Sequence, residues 1–101
     1  MAIKDVRLSF GYQQILALTG STALTIPTTQ TDGAVGQRPA LALLQAETQN
    51  IRWRDDGTAP TAAIGMLLIA GGDPYPFDGD LSRIRFIEVG ATAKLNVSYY
   101  A

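Results

Sequence analysis

This chain offers no good window with apolar residues at i, i+3, i+4 and i+7; aliphatic, threonine and aromatic residues instead fall in short runs punctuated by glycine, proline and aspartate. A helix needs the first pattern to bury one face, whereas a strand needs only alternation, so the chain is confined to strands. Val6, Leu8 and Phe10 alternate with Arg7 and Ser9, and Gly11 ends that alternation. A second run, Gln14–Leu18, leads through Gly20 and Ser21 into Ala23–Ile26, where Pro27 stops ladder pairing. From Pro27 to Pro39 almost no apolar surface is supplied, which predicts the longest loop, a segment suited to a partner.

The run Ala40–Glu47 contains good helix formers but is short and flanked by strand-like segments, so it is read as a buried strand. In Ile51-Arg52-Trp53-Arg54 the apolar pair shares one face and the arginines the other. The following Asp55-Asp56-Gly57 signals a tight turn. Thr61–Ala70 reads as an apolar strand with a bulge or close backbone approach at Gly65. Tyr75-Pro76-Phe77, with Pro74 and Pro76 two positions apart, belongs to an edge or a loop. Ile84–Val89 and Lys94–Tyr100, joined by Gly90–Ala93, read as a β-hairpin, with Leu95, Val97 and Tyr99 on its inner face. Seven or eight short strands at this spacing predict an all-β fold, an antiparallel β-sandwich or jelly roll. At 101 residues one domain, 1–101, is expected. A chain of this size can bury about 65% of its open surface. Its stability margin is therefore thin, and a neighbouring subunit would add to it.

Composition narrows the function. Without cysteine there is no disulfide, thiolate nucleophile or sulfur-ligated metal, and without histidine the usual general base and commonest metal ligand are missing. Eight basic and nine acidic side chains give a net charge of -1 and no field to attract nucleic acid or anionic lipid. No apolar run reaches the ~20 residues of a membrane span, and the opening Met-Ala-Ile-Lys-Asp predicts a chain made without a signal peptide. A non-catalytic domain without metal, cofactor, membrane or nucleic-acid partner is expected.

Asp73, Asp78 and Asp80 lack the spacing of a calcium loop and read as a solvated turn. Asp55 and Asp56 are adjacent in a turn and diverge, so they suit pairing with Arg52 or Arg54 better than two-carboxylate catalysis. Arg52-Trp53-Arg54 has the residue types of a single-strand nucleic-acid platform, yet alternation turns the ring inward and the aspartates cancel the charge. The glycines form neither a Walker nor a dinucleotide-binding pattern. Arg83 and Arg85 share a face with Ile87 and Val89, and Tyr100 falls on an otherwise polar face. Either arginine stems cover apolar surface at a sheet edge, or a second subunit packs there. The candidate interface residues are thus Arg52, Arg54, Arg83, Arg85, Tyr75 and Tyr100.

The segment Ile51-Arg52-Trp53-Arg54-Asp55-Asp56-Gly57-Thr58-Ala59-Pro60-Thr61, continuing through Gly65-Met66 to Ala70-Gly71, resembles a family of small proteins encoded by tailed bacteriophages and prophages. Ala42–Glu47, Ile84–Phe86 and Ala93–Tyr100 are similar to the same family, so the likeness covers about the last sixty residues. The resemblance implies a structural protein of the virion and brings no catalytic residues. With this composition it implies a capsid decoration, or cement, protein on the outer shell. Such a protein would be made in the bacterial cytoplasm and form a homo-oligomer, a trimer being favoured, that bridges major capsid proteins. A neck or tail component is the alternative, as is a glycan-recognition module using Tyr75, Phe77 and the nearby aspartates.

Overall fold

The structure, a computed structural model, describes residues 9–27 and 38–101, and among them every regular element is a strand. Val6, Leu8 and most of the loop expected between Pro27 and Pro39 lie outside the described residues. The strands are β1 (Ser9–Ile15), β2 (Thr22–Ala23), β3 (Leu41–Glu47), β4 (Ile51–Arg54), β5 (Met66–Leu68), β6 (Tyr75–Phe77), β7 (Arg85–Glu88) and β8 (Lys94–Tyr100). They form two antiparallel four-stranded sheets, ordered β1-β8-β3-β6 and β2-β7-β4-β5. Of the consecutive strands only β4 and β5 share a sheet. The pairs β1·β8, β2·β7, β3·β6 and β4·β5 are those of one long hairpin, closed at β4–β5 and rolled so that successive pairs alternate between sheets. That is a jelly roll, the sandwich expected from the strand pattern.

Period-two alternation fills the space between the sheets. From the first sheet come Phe10, Ala42, Leu44, Ala46, Phe77, Leu95, Val97 and Tyr99; from the second come Ile51, Trp53, Leu68 and Phe86. Trp53 bridges the layers: its ring lies 5.5 Å from Phe77 in an edge-on contact and 5.8 Å from Tyr75, both on β6 of the opposite sheet. Leu18, Leu24, Leu81, Ile84 and Ala93, from the connections, close the ends of the core.

One polar contact is built into this interior. The Tyr99 hydroxyl donates to Gln13 Oε1, and burial raises the phenol well above its ordinary range. A phenol whose pKa rises on folding contributes stability that is complete below about pH 10 and falls as the pH climbs above it, because only the unfolded chain then ionises. Denaturant unfolding of wild type and Tyr99→Phe between pH 8 and pH 11 is expected to show a steeper alkaline loss in the wild type. Parallel profiles would mean that the hydroxyl ionises equally well in the folded state.

Several segments differ from the sequence reading. The alternation does break at Gly11, as read, but the strand does not stop there: a register shift between Ser9 and Gly11 makes a β-bulge, after which β1 continues to Ile15 with its faces exchanged. Phe10 therefore points inward while Tyr12 points out, and the run beginning at Gln14 is the second half of β1. Of the run Ala23–Ile26 only Ala23 is in a strand, the two-residue β2. Ala40–Glu47 is a strand, as expected, and Tyr75-Pro76-Phe77 is an edge strand whose proline leaves the free edge without a donor.

The Asp56-Gly57 pair does not make a two-residue hairpin; the chain runs through a loop from Asp55 to Gly65 before β5 begins. Gly65 is a close approach, as read: at its φ of +145° an added Cβ would lie 3.1 Å from the Trp53 carbonyl oxygen and 3.2 Å from Arg52 Cβ. The expected β7–β8 hairpin is absent. β7 pairs with β2 and β4, β8 pairs with β1 and β3, and the connection between them crosses from one sheet to the other. Alternation assigns an inner face to each strand, and both faces are satisfied equally well side by side or across the core.

Candidate functional site

The pairing of β4 with β7 draws the candidate arginines together. Arg54 stands directly opposite Arg85, and Arg52 opposite Ile87, so Arg52, Arg54 and Arg85 share the outer face of the second sheet. Arg83 lies just before β7 and is exposed to solvent. Like charges opposite one another repel, and the fold offsets this by giving each strand arginine local acceptors. Arg54 Nε donates to Asp56 Oδ1 at 3.0 Å, and its Nη2 donates to the second carboxylate oxygen. Arg52 donates to the carbonyls of Ala62 (3.1 Å) and Gly65 (2.9 Å), pinning the β4–β5 loop. Arg85 Nη1 donates to the carbonyls of Ser82 and Ile84, each at 3.0 Å.

The carboxylates have local roles. The hydrogen-bonded Arg54 guanidinium, aided by the Thr58 amide, holds Asp56 down at about 2, and Asp56 raises Arg54 in return. Asp56 thus pairs with one of the arginines proposed for it. Asp80 accepts from the Ser82 hydroxyl (2.6 Å) and amide (2.9 Å), which lower its pKa, with a smaller effect from the Arg83 charge. Asp73, Asp78 and Asp80 are exposed, and among the described residues no three His, Cys, Asp or Glu side chains are grouped to hold a metal ion.

The candidate tyrosines lie elsewhere. Tyr75 sits on β6 at the edge of the first sheet, 42% exposed, with its ring against Trp53. Phe77 is buried beneath, so only Tyr75 of that pair reaches solvent. Tyr100 is half-buried on the outer face of the first sheet, opposite Leu41, and accepts a 3.2 Å hydrogen bond from Ser98 Oγ. Farther along this face Asn96 accepts from Tyr12 (2.7 Å) and Gln14 (2.9 Å) and donates to Glu47 (2.8 Å). These bonds cross-link three strands with polar groups.

Sequence reasoning missed an exposed apolar edge. β5 is the edge of the second sheet, and along it Ile64 (59%), Met66 (58%), Leu67 (42%) and Ile69 (55%) are open to solvent, while only Leu68 is buried. The run shows neither lysine nor proline, the residues that blunt a free edge. A continuous apolar stretch reads as a strand covered on both faces, and its exposure follows only from its outermost place in the sheet order. Comparison with protein-family models, curated proteins and solved structures finds no match to this chain.

Proposed function

We propose that this chain is a structural protein of a tailed-phage virion that decorates the capsid surface as a homo-oligomer, a trimer being favoured, and bridges major capsid proteins. The observation that carries the proposal is the bare β5 edge. An apolar strand edge with unblunted ends is a docking surface for another protein, because pairing there satisfies backbone groups and removes apolar area from water at once. The jelly roll supports the reading by analogy, being a fold that capsid proteins use among many others. Further support comes from the local structural roles of the strand arginines and of Asp56.

Reconstruction of the intact particle at side-chain resolution is the direct test. Density for the chain is expected on the outer shell at joints between capsid subunits, with β5 in contact. Density confined to the portal, neck or tail would overturn the decoration reading.

A further inference from the structure

Where β4 and β7 end, their flanking loops enclose a cleft of about 220 Å³ lined by Ser21, Gly57, Thr58, Ala59, Ser82, Arg83 and Arg85. It presents two guanidiniums and three hydroxyls, with no carboxylate in its wall. The acids nearby are engaged: Asp56 is held by Arg54 and the Thr58 amide, and Asp80 by Ser82. Among the described residues nothing hydrogen-bonds or ion-pairs with the Arg83 guanidinium, whose backbone amide donates to the Asp80 carbonyl, and the Arg85 guanidinium uses only Nη1. Two guanidiniums therefore stand side by side with neither in an ion pair among the described residues, and only the Asp80 charge, itself held by Ser82, acts weakly on Arg83.

Arg83 is also placed. A Cβ at residue 57 would lie 2.6 Å from its Nη2, so its head occupies the space that glycine leaves open, and the φ of +89° at Gly57 favours glycine independently. A guanidinium resting on a turn loses less freedom on binding than one swinging in water, and its fork matches an oxyanion in bidentate fashion.

We propose that this cleft is an oxyanion site in which Arg83 and Arg85 pair with the anion and the Thr58 and Ser21 hydroxyls donate to it. The shared ligand chemistry is a singly presented oxyanion, either tetrahedral, as phosphate or sulfate, or planar, as a carboxylate. The site stands apart from the virion reading, and its test uses the isolated full chain.

Amide chemical shifts of the labelled protein would be followed in separate titrations with sodium phosphate, sodium sulfate and sodium acetate, each at ionic strength held constant with sodium chloride. Saturable shifts centred on Ser21, Thr58, Ser82 and Arg83 are expected. Saturation by phosphate and sulfate identifies a tetrahedral ligand, and saturation by acetate alone a carboxylate. Arg83→Ala is expected to weaken binding about tenfold or more, and Arg83→Lys, which keeps the charge and loses the fork, to fall between. Arg83 is exposed, so both variants retain the fold. Linear, unsaturated shifts with all three anions, or an Arg83→Ala protein that titrates like wild type, would overturn the site.

Discussion

Replacement of Trp53 by alanine is expected to destabilise the domain by about 3–5 kcal/mol. Small domains have only about 5–15 kcal/mol in total. The ring is 7% exposed and touches Tyr75 and Phe77 across the core, so truncation removes buried area and the aromatic link between sheets together. In thermal melts the midpoint should fall by on the order of 12–40 °C for a chain of this size. Trp53→Phe, which keeps an edge for Phe77 to meet, should lose roughly half as much or less. Trp53 is the sole tryptophan, so wild-type fluorescence reports directly on this contact. A loss under about 1 kcal/mol for the alanine variant would mean that the ring is not part of the core.

The second large effect concerns assembly. Sedimentation of the wild type at micromolar concentration is expected to give a multiple of 10.8 kDa. The double substitution Met66→Lys with Ile69→Lys should return it to a single 10.8 kDa species with an unchanged circular dichroism spectrum. Both positions are more than half exposed, so the subunit itself should change by no more than about 0.5 kcal/mol. Burying an apolar anchor at an interface is commonly worth ~2 kcal/mol or more, roughly thirtyfold in affinity, and two buried lysines would reverse that contribution. Lysine on an edge strand is also the device by which natural sheets avoid pairing. A wild-type monomer at these concentrations would remove the oligomer from the proposal. An oligomer indifferent to the two lysines would move the contact elsewhere.

What the sequence made legible was the facing of side chains. Trp53, Leu95, Val97 and Tyr99 are buried and Arg52 and Arg54 point outward, as their alternation required. Neighbour relations were not legible, since β7 and β8 satisfy their patterns equally as a hairpin or as members of opposite sheets. The bulge at Gly11 exchanged the faces within one strand, which a strict period of two cannot represent. The site followed the same division. Each arginine pair could be seen on its own strand, but their convergence depends on the register that sets Arg54 opposite Arg85. The bare β5 edge was hidden because an apolar run looks the same at the centre of a sheet and at its margin.

The nested strand order also sets when folding can happen. β8 lies between β1 and β3, so Gly11 finds its partner in Tyr99 and Ala42 finds the same residue on its other side. The first sheet cannot close during synthesis until residues 94–100 have left the ribosome, and until then the facing edges of β1 and β3 lack the strand that pairs with both. Contacts this distant along the chain place folding on the slow, millisecond-to-second side of the range for small domains. During that interval the β5 run is exposed as well, so synthesis of many copies at once favours partner capture and misassembly alike.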